Sequence, residues 1–152
     1  MIVVREAIEA DLAGILAIYA QPELDDGDVM SIDEARGYMQ RLRAYPFYKL
    51  YVADDAGTIV GTFALLVMDN LAHRGAPSAI VEDVGVAPAL HGRGVGKQMM
   101  AHAMKLAADA GCYKLVLSSN RRRTSAHAFY ESLGFSQHGL SFVVQLPQAG
   151  TH

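Results

Sequence analysis

Three glycines at alternate positions, Gly92, Gly94 and Gly96, stand in the run Val84-Gly85-Val86-Ala87-Pro88-Ala89-Leu90-His91-Gly92-Arg93-Gly94-Val95-Gly96-Lys97, which reads as a strand, a turn and the opening of a helix. Residues without a Cβ let backbone N–H groups come close to a ligand. At a helix N-terminus those donors are unpaired, and the helix dipole favours an anion. Arg93 and Lys97 add positive charge at the same end. The chemistry on offer is the holding of a phosphate or pyrophosphate, with a tight packing turn as the other reading. Two nucleotide loops do not fit. A dinucleotide fingerprint follows a first strand and carries an acidic residue about 20 residues on. This turn follows the fourth predicted strand, and the residues near position 115 are apolar. The Gly-Lys-Ser/Thr ending of a P-loop is missing, because Lys97 is followed by Gln98.

A second kind of chemistry lies just upstream. Glu82 and Asp83 stand side by side in the otherwise apolar run Ile80-Val81-Glu82-Asp83-Val84. Strand alternation sends the two carboxylates to opposite faces, with Glu82 sharing a face with Val84 and Val86. A buried apolar setting raises a carboxyl pKa and suits it to proton abstraction, so Glu82 is the candidate general base. The alternative is a carboxylate that caps a backbone group or pairs with an arginine.

These residues need a scaffold. The pattern predicts a strand over Ile2 to Arg5, then a helix with Leu12, Ile15, Leu16 and Tyr19 at helical spacing that ends before Pro22. An acidic loop leads to Ser31 and Glu34, a capping box that opens a second helix through about Arg43. Strands over Tyr48 to Ala53 and Thr58 to Met68 flank the turn Asp54-Asp55-Ala56-Gly57. The loop Asp69 to Pro77 precedes a strand from Ser78 to Ala87, and a long helix follows from about Gly94 to Ala110. A strand Lys114 to Ser118, a helix Thr124 to Leu133 and strands Phe135 to His138 and Leu140 to Leu146 complete the chain. The expectation is one α/β domain over residues 1–152, a central mixed sheet of about seven strands flanked by about four helices.

Composition narrows the classes of function. A chain of 152 residues with 51% hydrophobic and 19% charged residues builds one globular core. The net charge of -3 argues against a nucleic-acid partner. Cys112 is the lone cysteine, which excludes an internal disulfide and fits a reducing compartment. No apolar run approaches the roughly 18 residues of a membrane span, and Met1 to Glu6 lacks the features of a signal peptide. A cytoplasmic protein with no membrane partner is expected. Residues 88–123 hold seven of the 13 Lys and Arg but one acid, Asp109, which suits a polyanionic ligand in that half or a merely basic surface.

The glycine turn resembles the cofactor loop of the GNAT superfamily of N-acetyltransferases, Arg/Gln-x-x-Gly-x-Gly/Ala between the fourth strand and third helix. Here it aligns as His91-Gly92-Arg93-Gly94-Val95-Gly96, with His91 in place of the usual Arg or Gln. The stretch Ala126-His127-Ala128-Phe129-Tyr130-Glu131-Ser132-Leu133-Gly134-Phe135 is similar to the family's helix ending in Tyr-x-x-x-Gly-Phe. The resemblance covers nearly the whole chain. It implies that acetyl-CoA is the cosubstrate, with its pyrophosphate on N–H groups from Gly92 to Lys97. It also implies that the backbone of Val84, Gly85 and Val86 pairs with the pantetheine arm like an added strand. Tyr130 would lie beside the sulfur as the general acid for the departing thiolate. The family often carries an asparagine seven residues before the tyrosine, where this chain has Arg123; Asn120, three residues earlier, is the candidate cofactor ligand. The segments Ile80-Val81-Glu82-Asp83-Val84 and Gly111-Cys112-Tyr113-Lys114 look like the glucosamine-6-phosphate N-acetyltransferases within the superfamily.

The acceptor cleft of this fold is usually built from the first two helices, the loop before the fourth strand and the last strands. Candidates are the acidic stretch Glu23 to Asp28, Tyr38, Asn70, His73, Arg74, His138 and Ser141, with Glu82 at the amine. Arg121 to Arg123 either grip phosphates of the coenzyme or of the acceptor, or form a merely solvated run. The acidic stretch would favour a cationic amine and the arginines a phosphorylated or phosphonylated one; the second is preferred. The expected reaction is direct attack by a small soluble amine in a ternary complex. A peptide or protein acceptor and a non-catalytic acetyl-CoA-binding module are the competing readings. The histidines lack tight ligand spacing, so no metal is expected. A homodimer is the expected assembly.

Overall fold

The computed structural model describes residues 1–119 and 123–148, which fall into two compact units, Met1–Leu117 and Ser118–His152. The first unit is a sheet of five strands in the order β1 (Ile2–Glu6), β2 (Tyr48–Asp55), β3 (Thr58–Met68), β4 (Ser78–Val86) and β5 (Leu115–Leu117). Strands β1 to β4 are antiparallel neighbours, and β5 runs parallel to β4 through the pairs Ala79–Leu115, Ile80–Val116 and Val81–Leu117. Helices α1 (Leu12–Tyr19), α2 (Ile32–Arg43) and α3 (Val95–Asp109) belong to the same unit.

Each helix has a local cause. Ser31 accepts from the Glu34 N–H while the Glu34 carboxylate reaches back to the Ser31 N–H, so the expected capping box starts α2. Val95, Met99, Met100, Ala103 and Ala107 form the buried face of α3. That face packs on β3 at Gly61, where a Cβ would fall 2.6 Å from Met99 Sδ. On the same side Tyr51 stacks on Phe63 with ring centroids 5.2 Å apart. The opposite face of the sheet carries Val52, which clusters with Leu12 and Ile15 of α1 and Ala35 and Met39 of α2. Fully burying side chains such as Phe63, Met99, Met100 and Ile15 contributes roughly 1.5–3 kcal/mol each.

The ladder between β3 and β4 is irregular. Ala64 pairs with Glu82 and Thr62 with Gly85, so three steps on β4 match two on β3. Asp83 takes up the extra residue at φ +54, in the left-handed region that Asp tolerates better than most side chains. This is a β-bulge. It breaks the period-two alternation, so Glu82 shares its face with Gly85 rather than with Val86, correcting the expected grouping.

The second unit holds α4 (Thr124–Ser132), which ends at Gly134 with φ +99. Tyr130 packs edge-on against Phe129 and Phe135, with centroids 5.2 and 5.8 Å apart. Neither Phe135 to His138 nor Leu140 to Leu146 forms a strand, so the described sheet has five strands and not about seven. The alternation of Leu140, Phe142, Val144 and Leu146 is strand-like, yet those side chains are exposed. A strand exists only against a partner edge, and a sequence pattern supplies half of that pair.

Candidate active site

The glycine turn folds as its composition demands. Gly92 and Gly94 sit at φ +79 and +84, and a Cβ at either would meet nothing within 4 Å. The conformation, rather than crowding, selects glycine. Gly94 is the N-cap of α3 and has no side chain to cap with. Gln98 N–H bonds Gly94 O at 3.1 Å, which leaves the N–H groups of Val95, Gly96 and Lys97 without helical acceptors. Arg93 and Lys97 are exposed beside them. The turn is an open, positively biased cradle of backbone donors, of the kind that accepts an anion.

His91 does a different job from a ligand-holding side chain. Its Nε2 lies 3.0 Å from Val86 O, and because a carbonyl only accepts, that nitrogen carries the proton. Gln21 Nε2 donates to the same oxygen at 3.0 Å. Together they fasten the turn and the end of α1 to the end of β4.

The edge of β4 beside this turn is open. Strand β5 ends its pairing at Val81, so Glu82 to Val86 have no strand on their second edge among the described residues. Ala87 N–H bonds Val60 O, and ladder alternation therefore turns the Val86 N–H to that open side. An extended ligand arm has a backbone edge to pair with there.

On the α1–α2 face of the sheet lies a cleft of about 220 Å³ lined by Leu12, Ile15, Leu16, Tyr19, Asp25, Asp28, Val29, Met30, Ala35, Tyr38, Met39, Leu42, Tyr48, Leu50 and Asp83. The bulge is what turns Asp83 toward it. Partial burial raises the Asp83 pKa, and the negative charge of Asp25 raises it further. The Tyr19 phenol is pushed up by burial and by Asp83, and Tyr48 by burial, Asp83 and Glu82. Glu82 and Asp83 are both exposed to solvent in part, and of the two only Asp83 lines the cleft, whereas Glu82 was the expected one. A larger open depression of about 540 Å³ runs along α4 past Thr124, His127, Glu131 and Gln137, and it contains none of the candidate residues.

The loop before β4 stands apart from the cleft. Asn70 Nδ2 donates to Ala76 O at 2.7 Å and closes the loop on itself. The His73 ring lies 4.4 Å from that of Tyr113, just ahead of β5, and Arg74 is exposed at φ +57. Glu82 is four residues into β4, roughly 13 Å of strand beyond Ser78. The structure therefore does not gather Asn70, His73 and Arg74 around the bulge. In the second unit, burial raises the Tyr130 phenol and the Arg123 charge lowers it, so the two are electrostatic neighbours. His138 and Ser141 are exposed. Asn120, Arg121 and Arg122 lie outside the described residues. Among the described residues no group of three or more His, Cys, Asp or Glu converges as a metal ion would need.

Tyr19, Gln21, Tyr48 and Asp83 escape a reading of the sequence. The available signal was an aspartate, tolerant of left-handed backbone, in mid-strand beside a glycine-bearing turn.

The fold agrees with that of solved relatives. The chain belongs to the acetyltransferase (GNAT) family, whose model matches residues 8–135. It is 33% identical over 98 residues to glucosamine 6-phosphate N-acetyltransferase of Trypanosoma brucei brucei, an alignment covering 64% of this chain and 65% of that protein's length. It is 31% identical over 144 residues to the 5-NmdU N-acetyltransferase of Pseudomonas phage PaMx11, covering 93% and 91% of the two chains. The crystal structure of a Trypanosoma brucei acetyltransferase superposes with a TM-score of 0.83 at 26% identity, covering 96% of this chain and all of that one.

Proposed function

We propose that this protein transfers the acetyl group of acetyl-CoA to the primary amine of a small metabolite by direct attack in a ternary complex. The observation that carries the reading is the pairing of the Gly92–Lys97 cradle with the unpaired edge of β4. The cradle would hold the pyrophosphate on the N–H groups of Val95, Gly96 and Lys97, with Arg93 and Lys97 adding charge. The Glu82 to Val86 edge would hold the pantetheine arm by strand-type hydrogen bonds. Both devices belong to the first unit, and the family match runs through residue 135 into the second.

The cosubstrate supplies an activated acyl group as a thioester. A primary ammonium titrates at about 10, so a base must take its proton before the nitrogen lone pair can react. We assign that step to Glu82, acting through water that its exposed carboxylate reaches. The amine nitrogen attacks the thioester carbonyl carbon, the C–N bond forms, the C–S bond breaks and the thiolate leaves with its electron pair, while the second proton shed by the nitrogen passes through solvent and restores the phenol that protonates the thiolate. Tyr130 is assigned the proton for that thiolate, because burial keeps its phenol protonated well above neutrality. Asn120 and Arg123 remain proposed contacts of the coenzyme and of the acceptor. Cytoplasmic location and a homodimer belong to the same reading; exposed Leu140, Phe142, Val143, Val144 and Leu146 support an assembly that covers them.

Isothermal titration with acetyl-CoA followed by a thiol-release screen over amines and peptides tests the proposal. Binding and turnover on small amines is expected. Turnover on peptides alone would replace the acceptor class, and binding without turnover would leave a cofactor-binding module.

A further inference from the structure

We infer that the acceptor is an aliphatic primary amine carrying a second cationic nitrogen, held in the cleft between α1, α2 and the β4 bulge. This deepens the proposed function and rests on it.

The cleft offers three kinds of surface at once. Its floor is apolar, from Leu12, Ile15, Leu16, Met39 and Leu50. Tyr19, Tyr38 and Tyr48 supply ring faces and phenols. Asp25, Asp28 and Asp83 supply carboxylates, and no lysine, arginine or histidine is part of the lining. At about 220 Å³ it is smaller than the roughly 300–1,000 Å³ of pockets for drug-sized ligands, which suits a short chain rather than a peptide.

The carboxylates are not compensated from within. None of the three enters an ion pair among the described residues, and Asp25 acts on Asp83 as an unrelieved like charge. The loop over residues 21–30 adds Asp26 and has no lysine or arginine, so this part of the rim attracts cations. Arg41 stands 5.1 Å from the Tyr38 ring centroid, outside the lining, and leaves the tyrosine's inner side to the cleft. The carboxylates do not converge as a metal site. An organic cation fits where a metal does not: methylenes lie along the apolar floor, and an ammonium sits among aromatic faces and carboxylates. A phosphorylated amine would bring its dianion against three negative charges, a repulsive arrangement that selects against it.

Steady-state thiol release measures the choice. Putrescine and cadaverine serve as dicationic probes, butylamine as the singly charged control, and glucosamine 6-phosphate and 2-aminoethylphosphonate as phosphorylated probes. We expect kcat/KM for a dicationic probe to exceed that for either phosphorylated probe at least tenfold. Asp25→Asn/Asp28→Asn should raise its KM about tenfold, raise that for butylamine less, and leave the KM for acetyl-CoA nearly unchanged. Asp25→Lys/Asp28→Lys should move preference toward the phosphorylated probes. Faster release with a phosphorylated probe, or an unaltered KM in the Asp25→Asn/Asp28→Asn variant with acetyl-CoA binding intact, overturns this assignment and leaves the acetyltransferase reading standing. Loss of acetyl-CoA binding in the unsubstituted protein, or no release with any amine, removes both.

Discussion

Asp83 and Glu82 are adjacent in sequence and both reach solvent, yet only Asp83 lines the cleft. The left-handed turn at Asp83 is responsible, since it adds a residue to β4 and rotates the remainder of the strand. The titration of Asp83 should reflect its setting. Because burial and Asp25 raise the Asp83 pKa, its carboxylate is lost on acidification at a higher pH than the ordinary value of about 3.9. Affinity for a cationic amine should therefore fall on the acid side, and Asp83→Asn should abolish that limb of the KM profile. Tyr19, Tyr48 and Asp25 face the same carboxylate and define its setting. Glu82→Gln should lower kcat at neutral pH by about 10²-fold, and an unaltered rate would hand the base role to another group. Tyr130→Phe should lower kcat about 10²-fold with acetyl-CoA affinity intact, by titration calorimetry. Since the Tyr130 phenol is raised, the alkaline fall in rate should come above the ordinary phenol value of about 10.

At the scale of elements, the start of α3 and the packing of α1 give separate tests. A valine at Gly94 would have open space around it but an unfavourable backbone, costing about 1–2 kcal/mol in the left-handed region. The turn should open, and the Kd for acetyl-CoA should rise at least tenfold. Asn at the same position should do less harm. The α1 end is anchored by Arg5, whose guanidinium donates to both Asp11 oxygens at 2.8 and 2.9 Å and to Asp54 at 3.0 Å. The hydrogen bonds from Arg5 hold the Asp11 pKa below its ordinary value. A depressed carboxyl contributes stability that is present above its unfolded pKa of about 4 and is lost as pH falls from there through the folded value. Asp11→Asn should cost about 2 kcal/mol in urea melts at neutral pH and progressively less as pH drops below 4. Local signals made much of this readable: the Ser31–Glu34 box, the glycines before α3 and the apolar runs of β2 and β3 each act within a few residues. The bulge was not readable, because alternation assumes a regular ladder and the extra residue appears only when β3 is alongside. The same reasoning explains Leu140 to Leu146, whose pattern suits a strand with no partner edge given.

For the whole molecule, ligand binding and folding share one free-energy scale. Acetyl-CoA at 100 times its Kd should stabilise the folded chain by about 2.7 kcal/mol. For a chain of this size that is a rise in Tm of roughly 5–10 °C, readable by scanning calorimetry. Free phosphate at the same concentration should produce much less, since it fills the cradle alone. The family and the general order of elements were legible from two motifs in the right sequence, His91–Gly96 and Tyr130–Phe135. The lining of the cleft was not, because its acids come from a loop and a strand more than fifty residues apart, Asp25 and Asp83.

The shortness of β5 leaves a rung of the sheet for something else to occupy. In the ligand-free protein the Val86 amide faces that side with no strand to protect it, so its proton should exchange with deuterated solvent quickly while its β3-facing neighbours hold theirs. A bound pantetheine arm would slow that one amide and few others, which makes the sheet itself a reporter of occupancy.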